Sequence, residues 1–435
     1  MSYTVPAVAV DSERTSVVVE AHLDNFGTSD SNAAGTVSAE IDPALLLHPR
    51  KLQKMKIALV RRSCSLRQAG AERYCVNLFR HLQARGHEVT IVGESIDDDL
   101  RPEAEFLPVR VNHTTSWTKN RSFAEGCKEV ISQHRFDVVH GLSRAHGLDC
   151  YRLTDPLQAH WFNLRYRRPL HRFLQGLNPR HRTLFALERA IFQSPTVHRI
   201  ITQSRLDSRL LGEYYGVPEE KIRRVYNGVD TSVFCPDVKR YRGEIRESLG
   251  VVDDRPMLVF ASMDFRRKGL TPLLRVLAQL KNRETCLLVL GKDNERPFRK
   301  LARQLGVEDR VLFAGRQQQI ERYYGAGDLF VLPTIYDPLA NVILEAMACG
   351  IPVLTTETAG GADLVEHGRR GYVVSGPDSI SEMVAMIDLH LQLSETEHEN
   401  MSRCCWEQAR QMTLEENARQ TLEVFEEVLQ EKSRV

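Results

Sequence analysis

From Lys56 onward, short apolar runs alternate with segments whose apolar residues recur at helical spacing. The run KIALV (56–60) leads into a loop ending at Ala69-Gly70. There follow the helix-period segment AERYCVNLFRHLQAR, Gly86 as its stop, and a second apolar run, EVTIVG. This order predicts a βαβ unit. Apolar runs at Phe136–His140 and His198–Thr202, with a helical stretch at Arg182–Gln193, extend it into a parallel sheet wrapped by helices that ends near Pro236.

The second half alternates more cleanly. MLVFAS, a helix from Pro272, CLLVLG, a helix through FRKLARQLG, RVLFAG, a helix to Gly327 and DLFVLP come in turn, then a helix over Val342–Cys349 and the strand PVLTT. Two doubly wound, Rossmann-like α/β domains are predicted, facing a central cleft in which ligands bind beyond the carboxyl ends of the strands. The predicted organisation is a disordered extension over 1–54, a first Rossmann-like domain over 55–236, a second over 237–410, and a terminal helix over 411–435 that braces the first domain. The extension mixes small and polar residues without a period, so folding is expected to begin near Met55.

Composition changes this picture little. The chain has 435 residues, 42% of them apolar, enough for two cores. A net charge of +1 leaves no global basic field, and no nucleic-acid partner is expected. The nine cysteines are an odd number with no C-x-x-C, which argues against a disulfide framework or structural zinc and fits a reducing cytoplasm. Neither an 18-residue apolar run nor a signal-peptide order is present, so neither a membrane span nor export is predicted.

Chemistry concentrates in a few places. In Asp337-Pro338-Leu339-Ala340-Asn341-Val342-Ile343-Leu344-Glu345, Pro338 stands where a helix can begin. The free N–H groups of Leu339, Ala340 and Asn341 would then suit a pyrophosphate. Asp337 and Glu345, about 10 Å apart at roughly 1.5 Å per helical residue, would reach a sugar and a ribose on either side. The alternative is an N-terminal cap at Asp337 and a buried Glu345 satisfied by its neighbours. In Met263–Gly269, directly after MLVFAS, Arg267 and Lys268 can neutralise a diphosphate leaving group without a metal. Gly70, opening the first helix, permits close approach to a phosphate. Asp149, after the run FDVVH, is a candidate for orienting an acceptor hydroxyl, a structural turn cap being the alternative. His140 and His146 lie nearby, and lone histidines are more often structural. The basic run from Arg165 to Arg182, with Trp161 and Phe162 just ahead, reads as a solvated face or as a surface that docks on anionic lipid.

The segment VLPTIYDPLANVILEAMACGIPVLTT resembles the donor-binding signature of the retaining glycosyltransferases of family four, whose fold is GT-B. The resemblance implies that Asp337 and Glu345 stand for the family's pair of glutamates, which contact donor sugar and ribose, with Asp for Glu shortening the first by one methylene. It likewise implies phosphate contacts from Arg267 and Lys268, a further donor-side arginine at Arg316, and a domain-boundary hallmark in Tyr226-Asn227-Gly228-Val229-Asp230. The family usually has Gly-Gly where this chain has Ala69-Gly70. Gly147-Leu148-Asp149-Cys150-Tyr151, FALERAIF, FRRKG and FRKLARQLGV resemble the lipopolysaccharide core glucosyltransferase group called WaaG. The activity implied is retaining transfer of a hexosyl group, glucose by resemblance, from a UDP-linked sugar to a lipid-linked saccharide, with Asp149, Lys268 and Asp337 as catalytic candidates. The protein would be cytoplasmic, peripheral on the inner face of the membrane, and in need of no metal. A nucleotide-sugar epimerase or a non-catalytic nucleotide-sugar binder are the alternatives; a dehydrogenase is disfavoured because no G-x-G-x-x-G joins a strand to a helix.

Overall fold

The computed structural model describes residues 54–65, 70–251 and 255–434. The predicted extension lies, but for Lys54, outside them, as does Arg67–Ala69 of the loop before the first helix. The residues from Met55 to Val435 form one compact unit built on two parallel sheets.

The first sheet has seven strands: β1 (Lys56–Val60), β2 (Glu88–Gly93), β3 (Glu105–Pro108), β4 (Val138–Gly141), β5 (Cys150–Arg152), β6 (Arg199–Thr202) and β7 (Ile222–Arg224), in the order β3-β2-β1-β4-β5-β6-β7. Its helices are α1 (Ala71–Ala84), α2 (Ser116–Ser132), α3 (Gln158–Arg165), α4 (Pro169–Gly176), α5 (Pro179–Phe192) and α6 (Arg205–Tyr215). The second sheet, β8 (Met257–Ala261), β9 (Cys286–Leu290), β10 (Val311–Gly315), β11 (Leu329–Leu332), β12 (Val353–Thr356) and β13 (Gly371–Val374), runs β10-β9-β8-β11-β12-β13. Around it lie α7 (Arg242–Ser248), α8 (Leu270–Gln279), α9 (Arg296–Gln304), α10 (Ile320–Gly325), α11 (Asn341–Ala348), α12 (Ile380–His390) and α13 (Glu395–Ala409). Central strands such as β8 and β9 are buried at every position, which is why they read as unbroken apolar runs.

Several elements went unforeseen. Helix α2 has a weak apolar stripe and starts from a capping box in which Thr115 and Thr118 satisfy each other's backbone N–H. Strand β5 is only three residues long. The predicted terminal helical stretch is two helices, α13 and α14 (Leu414–Lys432), and Thr413 caps the second by accepting from Glu416 N–H.

The chain crosses between the two sheets twice, and the crossings touch. Val229 N–H donates to Met412 O (2.8 Å), and Asn417 Nδ2 donates to Tyr226 O (2.5 Å). A Cβ on Gly228 would stand 2.3 Å from Thr413 O, so only glycine lets these strands pass so closely. Helix α14 then lies on the first sheet. Phe425 packs edge-on against His140 of β4, and Glu427 accepts from Arg199 (2.7 Å) and Arg223 (2.9 Å).

Candidate functional site

The two sheets meet through residues that follow the carboxyl ends of their strands. After β5, Leu157 N–H donates to Tyr336 Oη (3.2 Å), and after β6, Arg205 N–H donates to Asp363 Oδ2 (2.6 Å). Tyr336 follows β11 and Asp363 follows β12, so the cleft sits where doubly wound sheets bind ligands.

On the second-sheet side, β8 delivers the turn Asp264–Gly269. Asp264 accepts from Arg267 N–H (3.0 Å) and Nε (3.1 Å), which orients that arginine. Arg267 Nη1 then reaches Asp337 Oδ2 at 2.8 Å, and Lys268 Nζ donates to the same oxygen. Gly269 makes the turn possible: its φ is +90°, and a Cβ there would lie 2.0 Å from Pro333 O. Arg267, Lys268 and Asp337, 70 residues apart in sequence, thus form one cluster.

The cluster is nearly dry. Lys268 is 8% and Asp337 7% exposed. Burial alone would raise the Asp337 carboxyl, but Lys268 and Arg267 outweigh it and hold it below its ordinary range. Burial, with the neighbouring Arg267 charge, pulls the Lys268 ammonium down although Asp337 favours the charge. Arg267 and Lys268 are balanced by two carboxylates, Asp264 and Asp337, and an anion such as a diphosphate that took the place of Asp337 would meet both cations already fixed in position.

Helix α11 begins at Asn341 with Ala340 as its N-cap, not near Pro338. The expectation that Leu339, Ala340 and Asn341 all present free helical N–H groups is corrected accordingly. Leu339 precedes the helix, and Ile343 N–H already bonds Ala340 O (3.0 Å), leaving Asn341 and Val342 at the open end. The local reason is that Ala340 keeps an extended backbone and the chain before it is held against Gly360, whose N–H donates to Asp337 O (2.8 Å) and where a Cβ would stand 1.6 Å from Pro338 O. Glu345, one turn on, accepts from Tyr324 Oη (3.0 Å). Burial raises its carboxyl, while the charge of Arg73 on α1, from the first domain, counters it.

The structure sorts the remaining candidates. Gly70 is exposed and immediately precedes α1. Arg316 is exposed beyond β10, the edge strand of the second sheet. Asp149 is corrected: it precedes β5 and so lies at the amino ends of the strands, opposite the cleft. There it accepts from Val139 N–H (2.8 Å) and Lys432 Nζ (3.0 Å), tying α14 to the sheet. His140 is buried against Phe425, and burial followed by the nearby Arg152 charge lowers its imidazole to about 3, so it is a neutral core residue. His146 bonds α2 through its backbone N–H.

The sequence reading overlooked Tyr336 and Asp207. Tyr336 Oη donates to Asp207 Oδ1 (3.0 Å), and its ring packs edge-on against His160 (4.7 Å), binding the first domain to the loop after β11. Its partner lies 129 residues away, beyond the reach of any local pattern. Asn227, read as an architectural turn, accepts from Arg152 Nη2 (2.7 Å) and donates to Asn341 Oδ1 (2.6 Å), so it also fixes the start of α11.

Comparison with known proteins adds the following. The family described as Glycosyltransferase Family 4 matches residues 69–233, and Glycosyl transferases group 1 matches 242–411. The chain is 26% identical over 318 residues to the lipopolysaccharide glucosyltransferase WaaG of Escherichia coli K12, covering 72% of this chain and 84% of that protein. It is 24% identical over 379 residues to the N-acetyl-alpha-D-glucosaminyl L-malate synthase of Bacillus anthracis, covering 83% and 93%. Among solved structures, WaaG superposes with a TM-score of 0.73 at 24% identity over 85% of this chain and 99% of that one. HepE of Anabaena, solved with UDP and glucose, superposes with a TM-score of 0.66 at 19% identity over 86% and 100%.

Proposed function

Because the chain belongs to the family-four glycosyltransferases and has their GT-B fold, we propose that it moves a hexosyl group, glucose in the first instance, from a UDP-linked donor to a hydroxyl of a lipid-linked saccharide such as lipopolysaccharide core, with retention at the anomeric carbon. The observation that carries this reading is the pairing of Arg267 and Lys268 with Asp337 beside the start of α11. A donor diphosphate seated there exchanges one carboxylate for phosphate oxygens as partner of both cations. Negative charge grows on the leaving diphosphate as the glycosidic bond breaks, and the fixed guanidinium and ammonium groups stabilise it without reorganising. The backbone N–H groups of Asn341 and Val342 add to that field. Glu345 takes the ribose hydroxyls and Asp337 the sugar, and front-side attack by the acceptor needs positioning more than a protein nucleophile. The UDP and glucose of the HepE complex and the name of the Escherichia coli relative support the choice of donor.

We place the protein on the cytoplasmic face of the membrane, docked through the Arg165–Arg182 segment with helix α4 as its contact face. Among the described residues no helix is long and apolar enough to cross a membrane. Helix α4 and its C-cap nevertheless expose Leu170, Phe173, Leu174 and Leu177, at 73, 66, 54 and 56%, beside these arginines. Apolar residues at helical spacing with flanking cations suit an anionic bilayer surface.

Turnover of the donor tests the assignment. Lys268→Ala and Glu345→Ala are each expected to lower kcat by about 10²-fold or more while the fold, followed by circular dichroism, persists. Full activity in both would refute it. Nuclear magnetic resonance of the product's anomeric proton decides retention.

A further inference from the structure

Beside the donor cluster lies a cavity of about 930 Å³ that the proposed chemistry has not yet used. Its first wall is the stretch from Trp161 to Gln175, spanning the end of α3, the intervening loop and α4; its second is Asp264, Arg266, Arg267 and Ile335. Arg165, Arg167, Arg168, Arg266 and Arg267 all line it, against Asp264 as the one carboxylate of the lining, and that carboxylate is already engaged by Arg267. Arg167 has an ion-pair partner in Asp378 at 4.0 Å, but both side chains are at least 70% exposed, so water screens the pair. No ion pair with a carboxylate involves Arg165, Arg168 or Arg266 among the described residues. Arg165 instead stands 5.8 Å over the ring of Tyr166.

From this we infer that the cavity is the acceptor subsite and that the acceptor is an anionic saccharide, its phosphate or carboxylate held by Arg165, Arg168 and Arg266 and its sugar ring laid against Trp161 and Tyr166. The inference rests on the transferase reading above. Three features carry it. The volume is that of a small-molecule site and larger than a single ion needs. Arginines line it from both domains, so an anion held between them would meet guanidinium donors on either side, whereas a membrane surface would meet only the face of α4. Arg267 belongs to both cavity and donor cluster, so a saccharide bound here lies against the place where the diphosphate leaves. Arg266 is the most informative member. It adjoins Arg267 in sequence yet takes no part in the Asp337 cluster, and it lines the cavity from the second domain.

Calorimetric titration tests this with the donor site first filled by whichever nucleoside diphosphate a thermal-shift screen selects, so that phosphate cannot bind at Lys268. The probes are mannose 6-phosphate, galacturonate and mannose. The two anionic sugars are expected to bind about tenfold or more tightly than mannose, as charge-assisted hydrogen bonds imply. In the double variant Arg168→Gln/Arg266→Gln the preference should fall below about threefold, with nucleotide affinity and melting temperature kept, because both side chains are exposed. If phosphate is the acid, mannose 6-phosphate alone shows the preference; if carboxylate also serves, both sugars do. Equal binding of mannose and the anionic sugars, or a preference that survives in the double variant, overturns the proposal. Failure of any nucleotide or nucleotide sugar to shift the melting temperature would instead defeat the transferase reading.

Discussion

At Asp337 a single carboxylate oxygen holds both Arg267 and Lys268 in a pocket almost closed to water. The shorter aspartate arm matters here. It anchors the side chain to Arg267 and Lys268, so on the proposed reading its contact with the donor sugar would depend on how donor binding redistributes that ion pair, and sugar selectivity would be the property most sensitive to this position. Asp207, nearby on α6, is a different kind of acid. Burial, opposed by the Tyr336 hydrogen bond and helped by the Asp337 charge, pushes its carboxyl up to about 7. Between the unfolded value of about 3.8 and that folded value, the native state holds a proton the unfolded chain has released, so this group costs stability as pH rises to 7 and no more beyond. Asp207→Asn should therefore raise the melting temperature more at pH 8 than at pH 5, by several degrees. A difference independent of pH would show that Asp207 does not titrate in this range.

Among the elements, α4 is the one whose surface contradicts its setting. Its apolar residues sit at i, i+3, i+4 and i+7, the pattern of a helix that packs on something, yet they face outward. Replacing Leu170, Phe173 and Leu174 with serine is expected to weaken binding to vesicles containing anionic lipid by about tenfold or more while leaving thermal stability within a degree or two, since little buried area is lost. Unchanged sedimentation with vesicles would remove the docking surface. The basic run itself is divided by the fold. Arg165, Arg167 and Arg168 line the cavity, Arg172 spends its guanidinium on the carbonyls of Tyr166 and Arg167, and Arg180 and Arg182 start α5. A charge run that is uniform in sequence therefore serves separate purposes in space.

For the whole molecule, the decisive device is the return of the chain. Helix α14 completes the first domain's core with Leu422, Phe425 and Val428, although it is the last helix of the chain. Its ion pairs with Arg199 and Arg223 and the Lys432–Asp149 pair fasten it along its length. Phe425→Ala is expected to cost about 3–5 kcal/mol of stability and to lower donor turnover only in proportion to unfolding, as thermal denaturation followed in parallel with activity would reveal. A variant of unchanged stability would mean that α14 rests on the sheet without contributing to its core. The two crossings of the chain lie side by side at Gly228 and Thr413.

The order of strands and helices was legible in the chain because a parallel strand buried on both faces leaves an unbroken apolar run and an amphipathic helix leaves a 3.6-residue period, both local signals. Arg267, Lys268, Asp337 and Glu345 stood in short motifs at the end of a strand or near the start of a helix, but it was the resemblance of those motifs to a family signature, not their spacing, that singled them out, and Asn227 read only as an architectural turn. Helix α2 and strand β5 escaped because one has a faint stripe and the other spans only three residues. Only the tertiary structure decided that Asp149 belongs to the floor of the sheet and not to the cleft, that Tyr336 meets Asp207, and that arginines from both domains enclose one cavity. Each of these depends on which end of a strand a loop leaves from, or on contacts between residues far apart in sequence. No periodicity encodes those; they come into being only when the two sheets close on each other.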